Sequence, residues 1–366
     1  MKELKFIHAA DLHLDSRFDT LPEKAAEKRR EGQRGLLFNI AGLAEEYGAL
    51  AVLLSGDVFE SDAASKESQE AFIRAFSTLN MPVFVSPGNH DPYTPSSIWA
   101  RMRLPGNVCI FKNEAIEHVD LPDLQLRVWG AGFEHTFSGS LLEGFRVPEK
   151  RKGITDVMLI HGELTAGESS YNAISRQQIA SSGMDYIALG HIHKCSELDK
   201  VNGTAFAYPG CAEGRGYDET GPKGALLVSI CEGNVKTEFL PLGGARYEII
   251  RVDISGTDPL EKIRQETLEY TDKDHCRIIL SGECEELPDM PAIRRSLEGR
   301  FAELQLRDET ILKLDVWEQL GQNSLAGVFL QRLRTAFDSS ASAEERKLIE
   351  LAARYGLTSM ESGGGK

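Results

Sequence analysis

The sequence predicts an α/β protein in which two sheets stack face to face, followed by a smaller α/β block and two helices. Three observations carry that reading. Short apolar runs alternate with helix-period segments early in the chain and give way to consecutive strands later, which fits a two-sheet sandwich better than one doubly wound sheet. Ligand-type residues stand just after several of those runs, where a parallel sheet presents its carboxyl ends. Finally, Pro241-Leu242-Gly243-Gly244 reads as a linker, and a new strand–helix order begins beyond it.

Leu4–Ala10 is a buried strand ending at Asp11. A helix follows from about Pro22 to Tyr47, with Leu36, Leu37, Ile40, Leu43 and Ala44 at helical spacing. Ala51–Ser55 is a second buried strand, and Gly56 supplies the tight exit that places Asp57. Ser68–Leu79 is helical; Val83–Ser86 is a strand that stops at the turn signal Pro87-Gly88. Further strands are expected at Leu126–Gly130, Val157–Ile160, Tyr186–Leu189, Ala205–Tyr208 and Ala225–Ile230.

Beyond the linker the expected order is strand Tyr247–Ile254, helix Pro259–Tyr270, strand Arg277–Leu280, helix Ala292–Phe301 and strand Thr310–Val316. This divides the chain into residues 1–244, 245–318 and 319–366. In the last part, Leu325, Val328, Phe329, Leu333 and Phe337 form one apolar stripe, and Leu348, Ile349, Leu351, Ala352 and Tyr355 form another. Ser342 stands three residues before Glu345, as in a helix cap. The closing Ser-Gly-Gly-Gly-Lys is expected to be disordered.

Charged residues are 27% and apolar ones 41% of the chain, an ordinary globular balance. No apolar run approaches the roughly 18 residues of a membrane span, and Met1-Lys2-Glu3-Leu4-Lys5 runs into a strand without a leader pattern. Cys109, Cys195, Cys211, Cys231, Cys276 and Cys284 lack C-x-x-C spacing, so reduced cysteines and a cytoplasmic location are expected. Cys195, close to His193, reads as a structural thiol rather than a ligand. The net charge of −15 leaves little general basic surface. Two clusters offer local positive charge: Lys28, Arg29, Arg30 and Arg34 on a helix, and Arg146, Lys150, Arg151 and Lys152 in a loop. Each is equally a solvated face or a nucleic-acid contact.

Five segments carry the chemistry: Asp11-Leu12-His13, Gly56-Asp57, Gly88-Asn89-His90-Asp91, His161-Gly162 and Gly190-His191-Ile192-His193. Leaving aside His90 and Asp91, two Asp, one Asn and four His are oxygen and nitrogen donors suited to Mn²⁺, Fe²⁺ or Zn²⁺ rather than Ca²⁺. Singly such pieces arise by chance; all five, in order and each after a strand, specify a metal site.

With these segments the chain resembles the calcineurin-like metallophosphoesterases, and among them the SbcD-like DNA repair exonucleases and the YhaO-like branch. The motifs cover residues 1 to about 245. The resemblance implies a two-sheet metallophosphoesterase sandwich, a small α/β capping domain and C-terminal helices. It implies two divalent metals, Mn first and Fe or Zn as substitutes. One would be held by Asp11, His13, Asp57 and His193, the other by Asp57, Asn89, His161 and His191, with Asp57 bridging. His90 would protonate the leaving group, and Asp91 would hydrogen-bond His90 and fix its tautomer. Gly210 matches a Tyr-Pro-Gly turn near such sites. The remaining histidines, His8, His118, His135 and His275, read as structural.

The implied substrate is DNA, and the implied partner is an SbcC- or SMC-like coiled-coil ATPase bound through the C-terminal helices; homodimerisation is left open, and no membrane partner is expected. One departure stands out. SbcD-like nucleases carry histidine three residues after the bridging aspartate, but here it is Glu60, whose charge is expected to repel a phosphate unless it turns away. The alternatives are a phosphomonoesterase or cyclic-nucleotide phosphodiesterase of the same superfamily, or a non-catalytic adaptor of such an ATPase. The segment Gly56-Asp57-Val58-Phe59-Glu60-Ser61 lacks the arginine of the serine/threonine phosphatases, and the complete donor set argues against a decayed site.

Overall fold

The computed structural model describes residues 3–148, 150, 153–313 and 316–363. The chain divides into two compact units, Met1–Ile249 with Thr271–Cys276, and Ile250–Tyr270 with Arg277–Lys366.

Two six-stranded sheets build the first unit. One runs in the order Asn234–Pro241, Gly224–Cys231, Leu4–Ala9, Ala51–Leu54, Val83–Val85, Val108–Ile110. Its last four strands are mutually parallel and the first two antiparallel. The other runs Asp199–Val201, Thr204–Ala207, Tyr186–Gly190, Thr155–His161, Leu126–Gly130, Glu117–Leu121, with its four central strands parallel.

Alternation along the strands decides the layers. Phe6, Ala51, Leu53 and Phe84 face the second sheet and pack with Val157, Leu159, Tyr186 and Ala188. Their neighbours Ile7, Ala9, Val52, Leu54 and Val83 point the other way, onto helices Glu23–Glu46 and Lys66–Ser77. That is the two-residue period of a strand buried on both faces. The far face of the second sheet is covered by a third cluster that includes Ile179 of the helix Arg176–Ser182. A capping box formed by Ser175 and Gln178 starts that helix.

Within the second unit several elements depart from their expected bounds. Its helices are Pro259–Glu266 and Met290–Ser296, shorter than the sequence suggests, the second closing before Gly299 at φ 74°. The third strand is Glu303–Asp308 rather than Thr310–Val316; Ile311–Leu312 instead pairs with Glu283–Cys284, and Leu314 and Asp315 lie outside the described residues. Helices Leu325–Ser339 and Ala343–Gly363 pack together around Leu330, Ala353, Leu357 and Val316. Gly356 leaves room for the Phe329 ring, and Phe337 meets Trp317 edge-on. The first stripe is thus partly covered, with Leu325 and Val328 exposed. The second helix is phased differently from expectation: Ala353 and Leu357 face inward, while Leu348, Leu351 and Tyr355 face out. The Ser342 hydroxyl accepts from the Glu345 N–H at 3.1 Å, capping that helix. Helix continues through Ser362 and Gly363, against the expected disorder; Gly364-Gly365-Lys366 lie outside the described residues. Among the described residues no helix is long and apolar enough to cross a membrane.

Candidate metal centre

All five segments leave the carboxyl ends of parallel strands. Asp11 and His13 follow Leu4–Ala9, Asp57 follows Ala51–Leu54, Asn89 follows Val83–Val85, His161 ends Thr155–His161, and His191 and His193 follow Tyr186–Gly190. Two of the loops continue the pairing of their strands: the Asp11 N–H donates to the Gly56 carbonyl and the His13 N–H to the Asp57 carbonyl, both at 3.0 Å. Asp11, His13, Asp57 and His191 have φ of 52°, 48°, 50° and 106°. Such backbone costs a non-glycine residue roughly 1–3 kcal/mol and is held only where surroundings over-determine it. Close approach also needs two bare backbones. A Cβ on Gly88 would overlap the Asp57 carboxylate, and one on Gly190 would overlap the Ser55 carbonyl.

The ring tautomers follow from their partners. His13 Nδ1 lies 2.9 Å from a Glu60 oxygen and His193 Nδ1 2.7 Å from a Glu219 oxygen. A carboxylate only accepts, so both Nδ1 atoms carry hydrogen and both Nε2 atoms are the ones left to take a metal. Those two nitrogens face each other at 3.2 Å. His161 donates from Nδ1 to the Ser55 carbonyl at 2.9 Å, and its Nε2 lies 3.0 Å from Asn89 Oδ1 and 3.3 Å from Asp57 Oδ2. Without a metal, His161 Nε2 carries a proton toward Asp57, and a cation bound among these donors would take its place. Donor atoms of Asp11, His13 and His193, and of Asp11, Asp57 and His161, each gather within 4.8 Å. Two buried carboxylates need positive charge beside them, and imidazole nitrogens converge on both, so the residues present fit the implied metal pair.

Charge is distributed accordingly. Burial raises the Asp11 carboxyl, and the neighbouring histidines offset this only in part. Burial opposes the Asp57 charge too, yet His161 holds that carboxylate far below its usual range. In return, against the effect of burial, Asp57 pushes His161 up to about 9. Burial and then His161 depress His191 to about 4. The His191 N–H donates to both Asp11 oxygens at 3.1 Å, and its ring leans on His161 and Tyr171.

His90 stands at the exposed edge. Its N–H donates to Asp57 Oδ1 at 2.9 Å, and its ring meets His13 edge-on at 4.7 Å. Asp91 does not hold it. The Asp91 carboxylate is fully buried and accepts from the N–H groups of Val58, Phe59 and Gly88; burial and then Asp57 push it up to about 8. Its work is to fasten the loops that carry Asp57 and Asn89. The tautomer of His90 is fixed instead by the Glu60 main-chain carbonyl, 3.1 Å from Nδ1.

Glu60 also corrects the expectation of a repelling charge. Its carboxylate is occupied by His13 and by Arg215 Nη1 at 3.1 Å, and these hold its pKa down although burial works the other way. Arg215, Glu219 and Tyr171 lie beyond every motif, so no local pattern marks them. Cys211, Glu219 and His193 also converge, but burial and then Glu219 push the Cys211 thiol up to about 12. Cys195 joins no donor group, and Gly210 turns at φ 77°. His8 is structural, bonded to the Tyr186 hydroxyl and Leu189 carbonyl. His118 packs on Trp129 and His275 on Tyr247. In the first basic cluster, Arg29 binds Tyr247, Gly214 and Glu213, while Arg30 and Arg34 bind Glu23 and Glu27; those arginines brace the fold. Lys150 pairs with Asp185, and Arg151 and Lys152 lie outside the described residues.

The chain belongs to the calcineurin-like phosphoesterase family, whose model matches residues 4–195. It is 31% identical over 268 residues to the metallophosphoesterase YhaO of Bacillus subtilis, across 70% of this chain and 64% of that one. It is 23% identical to the DNA double-strand break repair protein Mre11 of Methanopyrus kandleri, across 95% and 81% of the two chains. Against the Mre11 protein of Aeropyrum pernix the identity is 26%, across 63% and 58%.

Proposed function

We propose that this phosphoesterase is a two-metal phosphodiesterase that cleaves DNA at ends or in unpaired strands, in the manner of an SbcD-like repair nuclease, with Mn²⁺ as the working metal. The carrying observation is the convergence of imidazole nitrogens and buried carboxylates beside an exposed His90. When bound, the metal pair supplies an activated water and positive charge for the phosphoryl oxygens. Asp11, His13, Asp57 and His193 would hold one metal and Asp57, Asn89, His161 and His191 the other. As water adds to phosphorus and the phosphorus–oxygen bond to the leaving group breaks, His90 would give a proton from Nε2 to the departing oxygen, its Nδ1 hydrogen staying on the Glu60 carbonyl. The Glu60 carbonyl keeps the His90 ring aimed for that transfer.

Unpaired DNA is favoured by a line of rings. Phe137, 60% exposed, leans on Tyr171 at 5.6 Å, and Tyr171 leans on His191 at 5.3 Å, a surface on which a base can stack. The likeness to the DNA double-strand break repair proteins Mre11 supports DNA as the substrate. We further propose that an SbcC- or SMC-like coiled-coil ATPase docks on the C-terminal helices, supported by the exposed Leu325, Val328, Leu348, Leu351 and Tyr355. That partner would grip DNA for a chain of net charge −15. The test is purified protein with Mn²⁺ on end-labelled single- and double-stranded DNA, beside bis-p-nitrophenyl phosphate and the monoester. Cleavage of the diesters with little monoester turnover supports the reading; monoester turnover alone refutes it.

A further inference from the structure

We propose that Arg215 is a positioning residue that, through Glu60 and Glu219, sets the affinity of one of the two cation places, that of Asp11, His13, Asp57 and His193, and leaves the other nearly untouched. The inference rests on the metal reading above and concerns the residues that stand behind the ligands.

The two places are braced differently. At the first, both imidazoles donate from Nδ1 to carboxylates, His13 to Glu60 at 2.9 Å and His193 to Glu219 at 2.7 Å. A carboxylate in that position fixes the ring and raises the basicity of its ligating nitrogen. At the second, His161 donates to the neutral Ser55 carbonyl, and His191 is held by ring contacts with His161 and Tyr171. His161 meets a carboxylate only through Nε2, at Asp57, so neither ring is braced from behind by a carboxylate among the described residues.

One guanidinium joins the two carboxylates. Arg215 Nη1 donates to Glu60 at 3.1 Å, while Nε and Nη2 both donate to Glu219, at 3.2 and 2.7 Å. Nη2 also lies 3.2 Å from His193 Nδ1. Glu219 is only 9% and Arg215 23% exposed, so the pair is well shielded from water. Glu60 comes from the loop after Ala51–Leu54 of one sheet, and Arg215 and Glu219 from the segment after Thr204–Ala207 of the other. Two carboxylates bracing adjacent imidazoles would repel and splay without a cation between them. The planar fork reaches both at fixed angles, whereas a lysine ammonium offers the charge without that geometry. The same Glu60 whose side chain braces His13 holds His90 through its carbonyl, so the clamp also adjoins the leaving-group side of the centre.

The test is Mn²⁺ titration of the metal-stripped full chain by calorimetry, with bound metal counted by elemental analysis. The unaltered protein should show two binding steps. Arg215→Gln should weaken one step by about 10- to 100-fold and leave the other within about twofold, with Arg215→Lys between the two. Asn89→Ala should weaken the opposite step. Glu219→Gln, which keeps an acceptor for His193 but loses the charge, should move the same step as Arg215→Gln and serves if the arginine variant does not fold. Melting in EDTA measures any loosening that the lost ion pairs cause without metal, and the proposal is read from the ratio of the two binding steps, which general loosening would not change. Equal weakening of both steps, or of neither, overturns the proposal. Failure of the unaltered protein to bind a metal pair would instead overturn the reading of the site.

Discussion

Asp57 and His90 divide the labour at the residue scale. Asp57 is buried, lies 3.3 Å from His161 Nε2 and 3.8 Å from His13 Nε2, and takes the His90 N–H, so it reaches both cation places. His90 faces outward and is fastened through one ring nitrogen. His90→Ala is expected to keep two bound metals and lose about 10²–10⁴-fold in diester turnover, the usual worth of a positioned acid. Metal analysis beside kinetics checks this, and near-normal turnover would remove His90 from the chemistry. A pH dependence follows from His161. In the metal-free protein Asp57 keeps it protonated to about pH 9 despite its burial, and a metal must displace that proton. Affinity at this place should therefore climb with pH by up to roughly tenfold per unit, levelling off above about 9. Titrations across that range in two buffers of different ionisation enthalpy would count the proton released.

At the scale of elements, a strand end fixes each ligand, and this is why the ligands were legible in the sequence. The apolar run and its turn residue are local, so Asp11, Asp57, Asn89, His161 and His191 announce themselves. Arg215 and Glu219 do not, because they act on His193 and, through Glu60, on His13 by contacts that only the folded loops create. Asp91 misled for the same reason: its neighbour in sequence is His90, but its partners are the N–H groups of Val58, Phe59 and Gly88. The strand Glu303–Asp308 is half-exposed and largely polar, so it lacks an apolar run. The last helix was misphased because Ala353 and Gly356 make its close contacts while larger side chains face out. The loop bearing Phe137 is tied to the segment bearing Tyr171, with the Ser138 N–H donating to the Ser170 carbonyl at 2.9 Å, so the two rings are presented together. Phe137→Ala should cost about 1–3 kcal/mol of binding to single-stranded DNA, the worth of one stacked base. An oligonucleotide with abasic sites should be indifferent to the change. Equal losses on both strands would show that the ring does not meet a base.

Over the whole molecule, a net charge of −15 and the ion-paired Arg29, Arg30 and Arg34 accord with the proposed division in which a partner supplies the grip on DNA. Replacing Leu325, Val328 and Leu351, all exposed, by serine should leave the fold and small-diester hydrolysis unchanged, since exposed positions tolerate such changes within about 0.5 kcal/mol. The same triple variant should lose co-purification with the ATPase and any ATP-stimulated cleavage; retention of both would place the partner surface outside these helices. The most direct test of the central claim is single-turnover cleavage of an end-labelled single-stranded oligonucleotide, with bound metal counted on the same samples. Two Mn²⁺ per chain and cleavage in the unaltered protein, with both lost together in Asp57→Ala, is the predicted result. Two bound metals with no phosphodiester cleavage in the unaltered protein would contradict it.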